Sequence, residues 1–454
     1  EVEEVEGYLG NFTVTVRKKA RYVNEELCTG CGICVEKCPK KVLDNVFEAG
    51  LGTRKVIYTP FPQAVPKYPV IDTENCTYFI RGKCKACQIF CPTEAIDFDQ
   101  EDEMVKFQVG NIILATGYQL FDVSRIPRYG YGRLANVFTS LEFERMVNAA
   151  GPTSGQIVLR DMETPPKSVA IVHCVGSRDQ NYHEYCSKVC CMYSLKFAHL
   201  VHERLPDAEV YNFYIDVRTP GKGYEEFYHR LLTEDTNFIR GRVAEITDVP
   251  RTPEEEGKLI VQAEDTLLML QRRVPVDMVI LSPAMEAYSD SREVSQLFKM
   301  GCDFDGFFIE RHPKLDPVAT MTEGIFIAGA CQGPKDIPDS VAQGAAAAAR
   351  VASLIARGTV MMEPVRASID EDKCCGCRLC NELCPYNAIE FHEDRKVSEV
   401  ITALCQGCGA CVATCPSEAI TGAHFTKQQV MSEIEGVLWD VMTELAATPE
   451  LVEA

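Results

Sequence analysis

The sequence is poor in positive charge and in long hydrophobic runs. Its 454 residues include 46 Lys and Arg against 66 Asp and Glu, a formal net charge of −20. Binding to nucleic-acid phosphates needs a basic surface, so this balance argues against a nucleic-acid partner. The longest apolar stretch, 345–356, is interrupted by Arg350, so we expect no membrane span. No secretory signal opens the sequence, and we expect a cytoplasmic protein.

The sequence also lacks a glycine-rich phosphate loop in two places where such a loop would indicate a dinucleotide site. No G-x-G-x-x-G, the loop that binds the pyrophosphate of a dinucleotide, follows a predicted strand before residue 100. The predicted strand 168–175 leads into CVGSRDQ, which contains Cys174 and a single glycine, Gly176. This replacement argues against a working NAD site in that domain.

Cysteine, in contrast, is abundant. The chain has 23 cysteines, and most of them are clustered at short, fixed spacings. Disulfide frameworks belong to small secreted domains, whereas such clusters in a protein of this size indicate metal or iron–sulfur ligation.

Two cysteine motifs near the start have ferredoxin-type spacing: Cys28-x2-Cys31-x2-Cys34-x3-Cys38-Pro39 and Cys76-x7-Cys84-x2-Cys87-x3-Cys91-Pro92. Three thiolates of each motif bind one [4Fe–4S] cubane, and the fourth, before proline, reaches the neighbouring cluster. We therefore predict one cluster on Cys28, Cys31, Cys34 and Cys91, and another on Cys76, Cys84, Cys87 and Cys38. Cys76 departs from the usual spacing. A zinc site, the alternative, uses ligands in pairs rather than this run.

A second pair of motifs lies near the end, twenty-one residues apart. It reads Cys374-x2-Cys377-x2-Cys380-x3-Cys384-Pro385 and then Cys405-x2-Cys408-x2-Cys411-x3-Cys415-Pro416. This internal repeat is typical of a two-cluster bacterial ferredoxin. The predicted clusters are bound by Cys374, Cys377, Cys380 and Cys415, and by Cys405, Cys408, Cys411 and Cys384. The remaining Cys302, Cys331 and Cys375 are predicted to be packed thiols.

A third group has an unusual spacing, Cys174-x11-Cys186-x3-Cys190-Cys191. The four thiols either belong to the ordinary core, where cysteine is often buried, or hold a fifth cluster. Adjacent cysteines at a helix start cannot both face one direction without distortion. Lys196, on the same predicted helix, is either a flavin-stabilising catalytic residue or a solvated lysine.

Two stretches resemble the strands that close over the flavin in flavoproteins of the pyridine-nucleotide disulfide reductase class. They are VGNIILATGY at 109–118 and TEGIFIAGACQGPKDIPDSVAQ at 322–343. In the second, a helix starting near Pro338 would aim free backbone N–H groups at a phosphate or an electron-rich ring. An ordinary buried strand and helix is the alternative. The candidate flavin contacts are Ala115, Thr116, Gly117, Lys314, Gly329, Ala330, Asp336, Ile337, Asp339 and Ser340.

Several segments together resemble the A-type subunit of heterodisulfide reductase: CVGSRD, YCSKVCCMY, GKGYEEFYHR, HPKLDPV and GACQGPKDIPDSVAQ. The resemblance covers essentially all of the chain. It implies FAD, five [4Fe–4S] clusters including one at 174–191, and an α/β, thioredoxin-reductase-like doubly wound core without a dithiol. It also implies electron bifurcation. The implied partners are heterodisulfide reductase B/C-type subunits, a hydrogenase or formate dehydrogenase module and ferredoxin, in a dimer of heteromers.

The same resemblance divides the chain into segments. They are a flavin-domain strand (1–20), an inserted ferredoxin domain (21–100), a flavin-domain segment (101–165), a degenerate NAD-type domain carrying a cluster (166–285), a further flavin-domain segment (286–365), a C-terminal ferredoxin domain (366–425) and a helical tail (426–454). Family members carry an N-terminal portion with the Gly-rich FAD loop. We therefore expect either that another chain completes the flavin site or that this sequence is a fragment. A flavin-free electron relay is the alternative function.

Overall fold

The computed structural model describes residues 1–359, 364–386 and 388–447. The strands are β1 Val2–Tyr8, β2 Asn11–Lys18, β3 Lys41–Leu43, β4 Thr53–Lys55, β5 Ile57–Tyr58, β6 Val70–Ile71, β7 Glu103–Val109, β8 Ile112–Leu114, β9 Gln119–Leu120, β10 Val137–Thr139, β11 Ser168–Val175, β12 Glu209–Tyr214, β13 Thr236–Arg240, β14 Val243–Thr247, β15 Leu259–Asp265, β16 Leu270–Val276, β17 Met278–Pro283, β18 Met285–Glu286, β19 Ile325–Ile327, β20 Ala367–Ile369, β21 Ile389–His392, β22 Val397–Val400 and β23 Ile420–Gly422.

The helices follow the same order. They are α1 Ile33–Lys37, α2 Thr77–Arg81, α3 Ala86–Ile89, α4 Ser140–Val147, α5 Cys190–Arg204, α6 Tyr224–Leu231, α7 Ser291–Leu297, α8 Ile337–Arg357, α9 Leu379–Leu383, α10 Ala410–Thr414 and α11 Lys427–Ala447. In the described parts of the chain, none of these helices combines the length and the apolarity needed to cross a membrane. Residues 448–454 of the predicted helical tail lie outside the described residues.

The centre of the molecule is a five-stranded parallel sheet in the order β10-β17-β11-β12-β13. Every residue of β11 and of β17 is buried, as expected for parallel strands covered on both faces. One face packs on α4 and α5 through Phe143, Met146 and Phe197. The other packs on the antiparallel meander β14-β15-β16. The predicted α/β fold class is confirmed.

The inserted ferredoxin region leaves and rejoins the core at a pair of neighbouring strands. Strands β1, β2 and β7 form an antiparallel sheet in which Lys18 pairs with Glu103 and Phe12 pairs with Val109. Because β2 and β7 lie side by side, the segment between them starts and ends at one place. Glu48 of this segment forms an ion pair with Arg145 of α4 at 3.0 Å, and both side chains are largely buried.

Short helices shape each ferredoxin-type motif. The third cysteine of the motif lies inside helix α1, α9 or α10, and the fourth forms the extended C-cap residue of that helix: Cys38, Cys384 and Cys415. The motif that starts at Cys76 differs, because α2 occupies the longer gap before Cys84. The departure from the usual spacing is therefore an inserted helical turn, with Cys84 in a left-handed conformation at φ 87°.

Candidate iron–sulfur and flavin sites

In the inserted region, the structure groups the eight motif cysteines in two fours. Cys28, Cys31, Cys34 and Cys91 line one cavity. Cys38, Cys76, Cys84 and Cys87 line a second. The grouping is the predicted one, including the exchange of the fourth cysteine between motifs, while their role as ligands stays a prediction.

Two of the thiols in these cavities are costly to ionise on their own. Burial, together with the charges of neighbouring cysteines, raises the pKa of Cys34 to about 11 and that of Cys87 to about 12. Backbone N–H groups also contact thiols here: the Gly30 N–H lies 3.4 Å from Cys28 Sγ, and the Ala95 N–H, at 3.3 Å from Cys91 Sγ, helps to lower the pKa of Cys91. A bound cationic metal centre would compensate thiolates held this way, so the donor set fits such a group.

The spacing of the thiols distinguishes a cluster from a single ion. Within the described ranges, no three His, Cys, Asp or Glu side chains come close enough together to hold one metal ion. Zinc–sulfur bonds of about 2.3 Å would require the thiols to converge on a point. Four thiols that surround a cavity instead fit a polynuclear cluster such as [4Fe–4S].

The C-terminal region repeats this arrangement. Cys384, Cys405, Cys408 and Cys411 line a cavity of about 390 Å³, which again combines the predicted set. Burial and the other three cysteines raise the pKa of Cys411 to about 11. In the second set, burial and then the charges of Cys377 and Cys374 raise the pKa of Cys380.

One feature of the Cys-Pro motifs escaped the sequence analysis. The cysteine before proline accepts a hydrogen bond from the N–H four residues later, from Ala95 to Cys91 and from Ala388 to Cys384, both at 3.3 Å. The sequences CPTEA and CPYNA carry this signal. Hydrogen bonds of this kind stabilise thiolate and therefore affect cluster potentials.

The four cysteines of the third group also come together. Cys174 lies near the end of β11, and Cys190 and Cys191 form the first turn of α5. Burial, and then the charges of Cys191 and Cys186, raise the pKa of Cys174 to about 11. The pKa of Cys190 is raised in the same way. Cys186 Sγ accepts a hydrogen bond from the Lys188 N–H at 3.3 Å.

The backbone around this group is strained at two positions outside the adjacent pair Cys190–Cys191, which lies in the regular helix α5. Cys174 and Lys188 have left-handed φ values of 57° and 61°. Non-glycine residues adopt this conformation rarely, and strain of this kind concentrates at functional sites. The four buried or half-buried thiols fit a fifth cluster.

The phosphate-loop position after β11 is closed by protein. Gly176 has φ 79°, and a Cβ added there would lie 2.6 Å from the Phe121 ring. The space in front of this glycine, which a dinucleotide pyrophosphate would need, is filled by Phe121.

A larger cavity, of about 750 Å³, lies at the start of α8. This volume is within the range of small-molecule and cofactor sites. Five of the predicted residues line it: Lys196, Ala330, Asp336, Ile337 and Ser340. Ala115, Thr116, Gly117, Lys314, Gly329 and Asp339 are not among its lining residues. Gly329 has no atom within 4 Å of the position that a Cβ would take.

The lining also includes residues that the sequence analysis missed. Lys188 and Lys335 join Lys196 there, beside the rings of Tyr118, Tyr193 and Tyr224. Burial lowers the pKa of Lys335. An anionic ligand would stabilise its charged form. Three lysines in a chain of net charge −20, together with aromatic rings, fit an aromatic anion such as a flavin dinucleotide.

The helix at this cavity starts near Pro338, as predicted, but the backbone N–H groups of its first turn are not all free. Helix α8 begins at Ile337, with Pro338 in its first turn, and its N-cap is Asp336. The Asp336 carboxylate accepts the Asp339 N–H at 2.8 Å, so the expected free N–H at this position is already bonded. Lys188 forms an ion pair with Asp339, and Lys196 Nζ lies 2.9 Å from Glu144 at the surface.

Two family models match the cysteine motifs. The model described as a 4Fe-4S dicluster domain matches residues 367–421, and the one described as a 4Fe-4S binding domain matches residues 21–44. The fold and these sites together define an iron–sulfur protein with an α/β core.

Relatives with curated names specify the family. The A-type subunit of the H(2):CoB-CoM heterodisulfide,ferredoxin reductase of Methanothermobacter thermautotrophicus is 47% identical over 440 residues, which are 96% of this chain and 65% of that protein. The second of two iron-sulfur A-type subunits of the CoB--CoM heterodisulfide reductase of Methanopyrus kandleri is 50% identical over 395 residues, 87% of this chain and 59% of that protein. The chain belongs to the family of heterodisulfide reductase A-type subunits, as its sequence predicts. It spans less than two thirds of the length of these two relatives.

Solved structures similar to the chain include two thioredoxin reductases. The one from T. acidophilum is 13% identical with a TM-score of 0.35, and the match covers 56% of this chain and 68% of that one. The one from Lactococcus lactis is 14% identical with the same TM-score, covering 66% and 86%.

Proposed function

We propose that this chain is the FAD and iron–sulfur subunit of a heterodisulfide reductase-type complex. Electron pairs delivered to it are bifurcated between a heterodisulfide-reducing branch and low-potential ferredoxin. The observation that carries the proposal is the position of Lys188, whose N–H binds Cys186 Sγ while its ammonium group pairs with Asp339 of α8. One residue therefore connects the four-cysteine group with the lysine-lined cavity.

The chemistry of bifurcation requires a group that exchanges electrons both in pairs and singly, which a flavin supplies, next to one-electron carriers. In our assignment, Lys188, Lys196 and Lys335 bind and orient the anionic ligand. Tyr118 and Tyr193 exclude water from it. Cys190 and Cys191 begin the helix that also supplies Met192 and Tyr193 to the cavity, which fixes the distance between the two sites.

Twenty cysteines are proposed to hold five [4Fe–4S] clusters. The sets are Cys28, Cys31, Cys34 and Cys91; Cys38, Cys76, Cys84 and Cys87; Cys174, Cys186, Cys190 and Cys191; Cys374, Cys377, Cys380 and Cys415; and Cys384, Cys405, Cys408 and Cys411. The supporting observations are the cavities and the thiol environments described above.

A further polypeptide is proposed to complete the flavin site. Of the residues of α8, Ala347 is buried, whereas Ile337, Val341 and Ile355 are 80%, 67% and 68% exposed. Beside this helix, β8 and β19 form a two-stranded parallel sheet. Parallel sheets are normally covered on both faces, so additional protein on this side would bury the apolar helix face.

The proposed partners follow from the names of relatives. A relative from Methanococcus maripaludis is named as the A-type subunit of an H(2)/formate:CoB-CoM heterodisulfide,ferredoxin reductase. For this chain we propose heterodisulfide reductase B/C-type subunits, a hydrogenase or formate dehydrogenase module, and ferredoxin, assembled as a dimer of heteromers.

A flavin-free relay is the second candidate. It is favoured by the Asp336 cap, which already uses the Asp339 N–H at the cavity. The test is anaerobic isolation of the complete complex, followed by flavin extraction and a coupled assay with hydrogen or formate. Bifurcation predicts FAD in the complex and ferredoxin reduction that depends on added heterodisulfide. A complex without flavin that still transfers electrons would establish the relay instead.

A further inference from the structure

Two arginines beside the four-cysteine group have no part in the proposed function. The charge of the Arg178 guanidinium lowers the pKa of Cys174 and of Cys191, against the larger effect of burial, which raises both. The charge of Arg218 also lowers the pKa of Cys191. Asp216 pairs with Arg178, and its carboxylate lies 3.7 Å from Arg218.

Several contacts fix Arg178 in this place. Its side chain is 19% exposed and is held by the Asp216 carboxylate. The backbone carbonyl of Asp216 in turn accepts from Cys191 Sγ at 3.9 Å. The Arg178 N–H donates to the Tyr185 carbonyl at 2.9 Å, across the loop that carries Cys186. The guanidinium is therefore held by the carboxylate of a residue whose backbone carbonyl is bonded to one of the four thiols.

The backbone of Arg178 is itself unusual. Its φ is 53°, so it is a third non-glycine residue in the left-handed conformation on this loop, besides Cys174 and Lys188. Strain of this kind persists only where the surrounding structure imposes it, and it concentrates at functional sites.

We propose that Arg178 is a positioning residue that sets the reduction potential of the cluster held by Cys174, Cys186, Cys190 and Cys191. The inference rests on the proposed function, because it requires that these thiols hold an iron–sulfur cluster. One-electron reduction adds one negative charge to a cluster. A positive charge near the ligand sulfurs stabilises the reduced form more than the oxidised form and raises the potential.

The test is an EPR-monitored redox titration of the complete, anaerobically isolated complex. The relevant signal is the one lost in the variant Cys186→Ala. In Arg178→Gln we expect about a tenfold lower ratio of reduced to oxidised cluster at a fixed potential, equivalent to ~59 mV for a one-electron couple. Arg178→Lys keeps the charge and gives a smaller decrease. Arg240→Gln is the matched control, since Arg240 donates to the Ile215 carbonyl on the neighbouring strand, and its potential should equal that of the wild type.

A second variant, with the opposite expected effect on the potential, keeps the proposal testable if Arg178→Gln fails to hold the cluster. Asp216→Asn removes the neighbouring negative charge and should raise the potential. An unchanged potential in Arg178→Lys and Asp216→Asn, or the same decrease in Arg240→Gln, would overturn the role of Arg178. Absence of the Cys186-dependent signal from the wild type would instead refute the cluster itself, and the inference with it.

Discussion

Lys188 and Asp339 form an ion pair that joins the loop of the four-cysteine group to the first turn of α8. The two residues are far apart in sequence, and Lys188 also lines the proposed flavin cavity. Their contact joins the loop of the proposed cluster to the helix beside this cavity, two segments that are separate motifs in the sequence. In the proposed function, this loop and this helix would set the distance between the flavin and the cluster.

The first prediction concerns flavin retention. Lys188→Met leaves Asp339 as an unpaired negative charge beside the cavity, which repels an anionic ligand. Because the pair is partly exposed, we expect FAD affinity to fall by about threefold to tenfold. Titration of FAD into the flavin-depleted complex measures this. Lys167→Met is the control, since Lys167 lies at the opposite end of β11; an equal loss there would contradict the assignment.

The second prediction concerns the exchange of cysteines between motifs. Cys28 and Cys91 line one cavity, and Cys76 lines the other. The double variant Cys28→Ala/Cys91→Ala should therefore lose about four irons per chain, and Cys76→Ala/Cys91→Ala about eight. Iron analysis of both variants decides the matter. The reverse result, about eight irons lost from Cys28→Ala/Cys91→Ala and about four from Cys76→Ala/Cys91→Ala, would mean that each motif holds its own cluster.

The third prediction concerns the attachment of the inserted region to α4. Arg145→Gln leaves Glu48 largely buried and without its partner, which costs about 3 kcal/mol. We expect amide hydrogen exchange in β3 and β4 to become roughly a hundredfold faster. The double variant Glu48→Gln/Arg145→Gln should recover part of the protection.

The exposed ion pair of Glu144, also on α4, provides a matched control for the Arg145 prediction. The pair Lys196–Glu144 is nearly half exposed, so Lys196→Gln should cost only about 0–1 kcal/mol and leave exchange in β3 and β4 unchanged. If both substitutions had the same effect on exchange, the buried pair would not be what attaches the inserted region.

The fourth prediction concerns the loop after β11. Gly176→Ala adds a methyl group against the Phe121 ring in a left-handed conformation, and we expect a loss of about 2 kcal/mol in the free energy of unfolding. Gly132→Ala has a similar φ of 75° but no atom within 4 Å, so it reports the backbone strain alone. Denaturant unfolding compares the two. A tolerated Gly176→Ala would indicate an open, ligand-ready loop.

The sequence predicted what depends on local spacing. The grouping of Cys91 with Cys28 follows from the ferredoxin motif, because a cysteine before proline is directed away from its own loop. The boundaries of β11 and β19 followed from buried apolar runs. The long gap after Cys76 remained unexplained from sequence, since a single helical turn such as α2 is too short to leave a periodic pattern.

What depends on tertiary contact was not predicted. Lys188 was passed over because its partner, Asp339, lies on a helix that only the folded chain brings near. The start of α8 near Pro338 was predicted but its N-cap was not, because Asp336, Asp339 and Ser340 are all competent caps and only the backbone conformation chooses between them. The role of Lys196 stays a prediction, since it both lines the cavity and pairs with Glu144.

The central claim is that cysteines grouped in fours hold clusters beside a flavin. It is tested most directly by anaerobic measurement of iron and acid-labile sulfide in the purified chain, and of flavin in the complete complex. The account predicts about twenty irons per chain and a matching amount of sulfide, four for each of five sites, together with one FAD. About sixteen irons would remove one of the five clusters, and zinc or disulfides in place of iron and sulfide would contradict the account as a whole.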